Sequence, residues 1–454
     1  MPSQSLTTLS SLADALATGK ATSRSLVEAC LARIADTTGE GARAFIKVDA
    51  EGARKAADAQ DILRSAGAAP SPLAGIPIAI KDLADIKGQV TTAGSKALAD
   101  RPPATADAPV VARLRAAGLV VIGRTNMTEF AYSGIGANPH YGTPAAPWDR
   151  QNTRSPGGSS SGSAVAVADG MTFGALGTDT GGSCRIPAAY CGVTGFKPTA
   201  RRVPTDGVVP LSTSLDSIGP IARTVDCCAL LDAIMAGEPV RGAGVVPLAG
   251  MRLLVPTNIV LDGLDTNVAA DFASTLAKLA MAGAQIIKAP FAPFEHIAPM
   301  LAKGGLSAAE AYAWHKALLA TKRNAYDPRV GDRIMRGQEQ SAADYIGLLD
   351  TRRAAMQSYE AALADADAIL SPTTPTVPPK LSETARDEDY TRLNMASLRN
   401  TLMINVFDGC SIALPMSRAG APPTSLMISG AAMADRRIFA IANSIEAALA
   451  AANA

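Results

Sequence analysis

The chain is predicted to fold as an α/β layered protein, and three neighbouring stretches carry that prediction. Residues 76–80 (IPIAI), behind Gly75, form a short apolar run of the kind that makes a buried strand. Residues 108–117 suit a helix that stops at Gly118, and 119–122 (LVVI) suit the next strand. Strand, helix and strand in succession are the pattern of a sheet with helices packed over it.

The other elements follow in order. Leu26, Cys30, Leu31 and Ile34 recur at helical steps behind Ser23, the expected cap, and a second helix is expected over 52–65. Residues 150–200 alternate glycine, serine and threonine with apolar segments such as AVAVA and CRIPAAYCG, which a flexible linker would not contain. Residues 235–250 read as a surface connection. Helical patterns dominate from there to about 365, with one strand candidate at 252–255 and another at 368–371 (AILS), before the proline-punctuated PTTPTVPP.

Composition narrows the function classes. With 454 residues, 48% hydrophobic and 18% charged, the chain can bury a large core and reads as soluble and globular. A net charge of +1 with 4% aromatics argues against nucleic acid and against an anionic membrane surface. The three histidines, His140, His296 and His315, have no metal-ligand spacing, and none of the six cysteines forms C-x-x-C, so no metal is expected. The opening residues lack a secretory pattern and no apolar run is long enough to span a bilayer, which makes a reduced cytoplasmic setting the expectation.

Three segments suggest chemistry. In GTDTGGS (177–183), two adjacent glycines allow a tight turn that points several N–H groups one way, and Pro187 marks the first turn of a helix just beyond. Ser183 would then face backbone donors, as acyl transfer requires when negative charge grows on a carbonyl oxygen. GGSSSGS (157–163) supplies hydroxyls ahead of an apolar helix. Lys81 follows the strand IPIAI directly, so burial would lower its pKa and let it act as a base near neutral pH. Taken singly, a glycine turn, a capping cluster and a strand-end lysine each have ordinary structural uses.

Together they resemble the amidase signature family. GGSSSGSAVAVA…GTDTGGSCRIPAAYCGVTGFKPT is similar to its core pattern, PLAGIPIAIKDL (72–83) to its lysine segment, and RLRAAGLVVIGRTNMTEF (113–130) and RRVPTDGVVPLSTSLDSIGPIART (201–224) to further family stretches. The resemblance implies one amidase domain over 1–454, with a large mixed β-sheet sandwiched between helices, a signature core at 70–235 and a helical elaboration at 240–365. It implies a Ser–Ser–Lys triad: Ser183 as nucleophile, Ser159 as bridging serine, often with a cis peptide, and Lys81 as base. The 24-residue interval between the serines fits the pattern. The amides of Thr180, Gly181, Gly182 and Ser183 are the implied oxyanion hole, with Asp179 and Arg185 bracing the loop and Ser160 nearby. The implied reaction is hydrolysis of a linear amide C–N bond through an acyl-enzyme, with no cofactor, a small-molecule amide as substrate and a homodimer as the assembly.

Alternatives stay open. GSSSG (158–162) matches the nucleophile-elbow pattern on Ser160, but the polar WDRQNTRSPG before it is no strand. The amidase subunit of a tRNA-dependent glutamine amidotransferase belongs to the same family, and a non-catalytic binding protein of the same fold is a third reading. Met127, Phe130, Tyr132 and Ser133 are the implied substrate contacts, closed over by 290–350 and the tail after Pro372. The usual arginine at 185, followed by Ile186, argues against a malonamate-type substrate. PPTSLMISG (422–430) and NVFDGCSIALP (405–415), with Asp408 and Cys410, depart from the family pattern and leave the substrate open.

Overall fold

Eleven strands form one mixed sheet in the computed structural model, which describes residues 7–418 and 420–451. In chain order they are β1 (Phe45–Val48), β2 (Pro77–Lys81), β3 (Val120–Thr125), β4 (Gly174–Asp179), β5 (Thr194–Lys197), β6 (Ser217–Ala222), β7 (Arg252–Pro256), β8 (Gln285–Ala289), β9 (Ala368–Pro372), β10 (Cys410–Pro415) and β11 (Ser425–Gly430). Their order across the sheet is β1-β3-β2-β4-β6-β5-β10-β11-β9-β7-β8. Strands β3, β2 and β4 run parallel, as do β9, β7 and β8, and antiparallel pairs join the two groups.

Parallel strands covered on both faces should be apolar throughout, and β2 is buried at all five positions. Its side chains alternate between two cores. Ile78 and Ile80 join Leu176 and Ile218 on one face, under the helices Val225–Ala236 and Asp435–Ala451. Ala79 and Ala175 face the other way, against Val165 and Val167 of the helix Ser161–Ala168, whose first seven residues are buried. Small residues on that second face let a helix sit close to the sheet, and this closeness brings Ser159 over the end of β2.

Several expected elements appear with shifted edges. The helix expected over 52–65 is Ala50–Ser65, and that over 108–117 is Pro109–Ala116. The first expected cap is one residue off. Thr22 caps Ser23–Ala35, its Oγ1 accepting from Ser25 N–H in a reciprocal capping box, while Ser23 Oγ donates to the Gly75 carbonyl at 2.7 Å. The region 240–365 contributes the strand expected at 252–255, as β7, and also the parallel strand β8, which was not expected. Among the described residues no helix is long and apolar enough to cross a membrane.

Candidate active site

Lys81 ends β2 with its side chain fully buried. Its neighbour Asp82 turns the other way and accepts from Arg124 Nε at 2.5 Å, so a buried ion pair fixes the chain where the lysine leaves the strand. Lys81 Nζ donates to Ser159 Oγ and to Thr178 Oγ1, both at 2.7 Å. Burial disfavours the ammonium form and brings the Lys81 pKa down to about 7, with the negative charge of Asp179 opposing part of that fall. Burial thus favours the uncharged amine, the form suited to accepting a proton.

Ser159 lies just ahead of the helix Ser161–Ala168, and the Gly158–Ser159 peptide is cis. Its carbonyl accepts from Thr128 N–H at 3.0 Å. Ser160, the helix cap, ties the two serine segments together. Its N–H donates to the Ser183 carbonyl at 3.3 Å, and its hydroxyl lies 3.4 Å from both the carbonyl and the N–H of Thr178. Ser160 thus holds backbone against backbone and does not face the cavity, which removes the nucleophile-elbow alternative. No side-chain hydrogen bond joins Ser159 to Ser183 in this structure. Ser159 is wholly buried, whereas Ser183 borders the open cavity.

The loop carrying Ser183 hangs from Asp179, the last residue of β4. One Asp179 oxygen accepts from Gly182 N–H at 2.8 Å and the other from Cys184 N–H at 3.0 Å. Arg185 grips the same carboxylate through Nε at 3.0 Å and Nη2 at 2.9 Å, and Asn405 Nδ2 adds a contact at 2.9 Å. Burial works to raise the Asp179 pKa, but the Arg185 charge and these hydrogen bonds outweigh it and hold the carboxyl well below the usual range. Thr401 Oγ1 donates to the Gly181 carbonyl at 2.6 Å, so the Gly181–Gly182 peptide is held at both edges, by Thr401 and by Asp179.

This bracing narrows the expected oxyanion hole. The Gly182 N–H, one of its four members, is spent on Asp179, whereas those of Thr180, Gly181 and Ser183 have no acceptor among the described residues. The Thr180 side chain is fixed separately. Its hydroxyl donates to Asp216 Oδ1 at 2.5 Å, and Asp216 Oδ2 accepts from Leu211 and Ser212 N–H. Burial raises the Asp216 pKa to about 6, against the pull of these hydrogen bonds.

Ser183, Gly181 and Thr180 border a cavity of about 440 Å³. Its far side comes from the helical region, through residues such as Lys303, Ser307, Arg333 and Arg336, and from Asn394 and Leu398 in the tail, as expected for 290–350 and the stretch after Pro372. Of the four residues expected to contact substrate, Tyr132 and Ser133 line this cavity. Met127 and Phe130 do not. They lie in an apolar cluster, with the Phe130 ring 4.3 Å from the His315 ring and 5.1 Å from the Tyr326 ring. Left-handed backbone at Phe130 and Ala131 redirects the chain between the two pairs. Asp408 and Cys410 also sit away from the cavity. Asp408 accepts from Ala200 N–H and Arg201, and Cys410 Sγ donates to the Ala431 carbonyl. Among the described residues, no group of three histidine, cysteine or acidic side chains is placed to hold a metal ion.

Thr178, Asn405, Thr401 and Asp216 were not identified from sequence. Thr178 and Asp216 lie inside the quoted family segments, but only the strand pairing aims them at the site. Asn405 and Thr401 come from a helix more than 200 positions away from the loop they hold.

A strand-end lysine bonded to a serine ahead of a helix, with a second serine in a loop of unpaired amides, fits a hydrolase of C–N bonds when joined to what the chain is similar to. The Amidase family model matches residues 25–439. A 2-amino-5-chloromuconic acid deaminase of Comamonas testosteroni is 38% identical, covering 88% of this chain and 87% of that protein. The A subunit of the glutamyl-tRNA(Gln) amidotransferase of Roseiflexus sp. (strain RS-1) is 36% identical over 97% of this chain and 96% of its own. A crystal structure described as an amidase superposes with a TM-score of 0.87 at 32% identity, covering 97% of this chain and 99% of that one. The chain belongs to the Amidase (amidase signature) family.

Proposed function

We propose that this chain hydrolyses linear amide bonds with Ser183 as nucleophile, Ser159 as proton relay and Lys81 as base. The observation that carries this reading is the buried contact of Lys81 Nζ with Ser159 Oγ at 2.7 Å, next to the loop that presents Ser183. Neutral Lys81 takes the Ser159 proton, and Ser159 takes that of Ser183 once substrate draws the two hydroxyls together. Ser183 Oγ attacks the carbonyl carbon, and the amides of Thr180, Gly181 and Ser183 receive the oxyanion. The C–N bond breaks as the proton returns through Ser159 to the departing nitrogen, which leaves as ammonia or an amine. Water then attacks the Ser183 ester by the same route in reverse and a carboxylic acid is released.

A fluorophosphonate probe tests this directly. Intact-mass analysis should show one adduct on the wild-type chain, located at Ser183, and none on Ser183→Ala. A panel of aliphatic, aryl and ureido amides should show turnover that Ser183→Ala lowers by several orders of magnitude. Labelling elsewhere, or near-normal rates without the Ser183 hydroxyl, would refute the assignment.

The similarity to an amidotransferase component across nearly the whole chain supports a second reading, in which ammonia from glutamine passes to a partner. Turnover of simple amides by the purified chain alone favours the first reading, and glutaminase activity that appears only with a partner favours the second.

A further inference from the structure

The cavity that Ser183 borders is also lined by two hydrogen-bond donors, the Asn394 amide and the Arg336 guanidinium, that have no acceptor among the described residues. Asn394 is 1% exposed and borders the cavity. Its Oδ1 accepts from Gly134 N–H at 2.8 Å and from Ser133 Oγ at 2.9 Å, which fixes which end of the amide is oxygen. Its Nδ2 donates to no acceptor among the described residues, on a side chain that lines the cavity. Ser133 cannot turn to meet it, since that hydroxyl already accepts from Tyr390 at 2.7 Å.

Two guanidinium groups stand on the same wall. Arg333 donates to the Tyr132 carbonyl and lies 5.4 Å from the centre of the Tyr132 ring. Arg336, one helical turn on, lines the cavity, and its guanidinium forms no hydrogen bond or ion pair among the described residues. The Tyr132 hydroxyl lies between these influences. Burial pushes its pKa up to about 12, and the positive charges of Arg333 and Arg336 oppose that rise. Two other charges border the cavity: Lys303, which pairs with Asp344 at 3.0 Å, and Glu339, its one carboxylate.

Unpaired donors and excess positive charge in a concave site call for an anionic acceptor. The geometry points to a carboxylate subsite made by Arg336, Arg333 and Asn394, so that the substrate is an amide bearing a carboxylate remote from its scissile bond. This rests on the amide-hydrolase reading of the same cavity. A cavity of about 440 Å³ suits a molecule the size of a short dicarboxylic monoamide.

Two measurements test it, one independent of turnover. Glutarate, titrated calorimetrically into the full-length Ser183→Ala protein, should bind, and more weakly as salt is raised. Adding Arg336→Gln should weaken that affinity about ten- to a hundredfold, because an exposed arginine can be replaced without disturbing the fold. Adding Glu339→Gln should strengthen it, since the one opposing charge is gone. In the active chain, glutaramate should exceed valeramide in kcat/KM by tenfold or more, and Arg336→Gln should collapse that ratio through KM. Absent glutarate binding, or an affinity unmoved by either substitution, overturns the subsite. Glutarate binding without any amide turnover would instead overturn the hydrolase reading and leave the subsite standing.

Discussion

Lys81 Nζ reaches Thr178 Oγ1 at 2.7 Å across the seam between two parallel strands, with Ile80 opposite Leu176 in the ladder. The lysine therefore has two hydroxyl partners, one expected to relay protons and one fixed in the sheet. Replacing Thr178 with valine keeps the shape and removes an acceptor that favours the charged amine. Activity should fall about tenfold, and the acidic limb of the pH profile should move to lower pH. A rate loss with an unmoved limb would mean that Thr178 serves packing alone.

The unmodified chain should show that limb near neutrality. The Lys81 pKa is lowered to about 7, so the competent uncharged fraction grows as pH rises. kcat/KM should climb about tenfold per pH unit below 7 and level off above it. Steady-state rates from pH 5 to 9 on one amide check this, and a profile flat across that range would argue against lysine as the base.

Asp179 and Arg185 form a wholly buried pair. Asp179→Asn leaves the guanidinium without its counter-charge and should cost about 3–5 kcal/mol of stability, read from urea unfolding. The Asp179 pKa is held low in the folded state, so its contribution is complete above the ordinary aspartate value of about 4 and is lost as pH falls below it. The gap between wild type and Asp179→Asn should therefore be constant at neutral pH and narrow only in acid.

Gly182 has a φ of +136°, and a Cβ there would lie 2.1 Å from Thr401 Oγ1. Gly182→Ala should lose at least about 2 kcal/mol of stability and most of its activity, because the Thr401 contact that orients the Gly181 peptide cannot survive. Recovery in Gly182→Ala/Thr401→Ser would not be expected, since the hydroxyl remains, whereas Thr401→Gly should restore part of the stability.

Asp216 joins the Thr180 hydroxyl to two backbone amides of the 211–212 turn. Asparagine there removes the charge and leaves one acceptor oxygen, so if the backbone amides keep it the Thr180 hydroxyl must turn to accept. The expected result is about a tenfold fall in kcat with KM nearly unchanged, as Thr180 sits beside the reacting atoms rather than along the substrate.

The strands and helices with strong periodicity were legible in the sequence. IPIAI needed only its unbroken apolar run, and the helix after it only a closing glycine. Strand β4 was not legible as a strand, because GALGTD is dominated by small residues. Gly177 is small for a reason that only packing reveals: a Cβ would lie 2.9 Å from Cys184 Sγ and 3.1 Å from Ser160 Oγ. Local segments alone single out Lys81, Ser159 and Ser183 as candidates, and Asp179 with Arg185 through their place beside Ser183. The residues that escaped, Thr401, Asn405 and Asn394, act over long sequence distances, where neither spacing nor propensity carries a signal. Met127 and Phe130 were misplaced because the left-handed turn at 130–131 decides which residues face the cavity, and no glycine marks it.

The helix Asp387–Val406 delivers both Thr401 and Asn405 to the nucleophile loop. Ribosomal synthesis releases Lys81, Ser159 and Ser183 long before that helix. Until residues 401 and 405 have been made, the loop that follows Asp179 lacks two of the side chains that hold it. A chain arrested before residue 401 should therefore leave that loop unbraced, so the loop can take its final shape only late in synthesis.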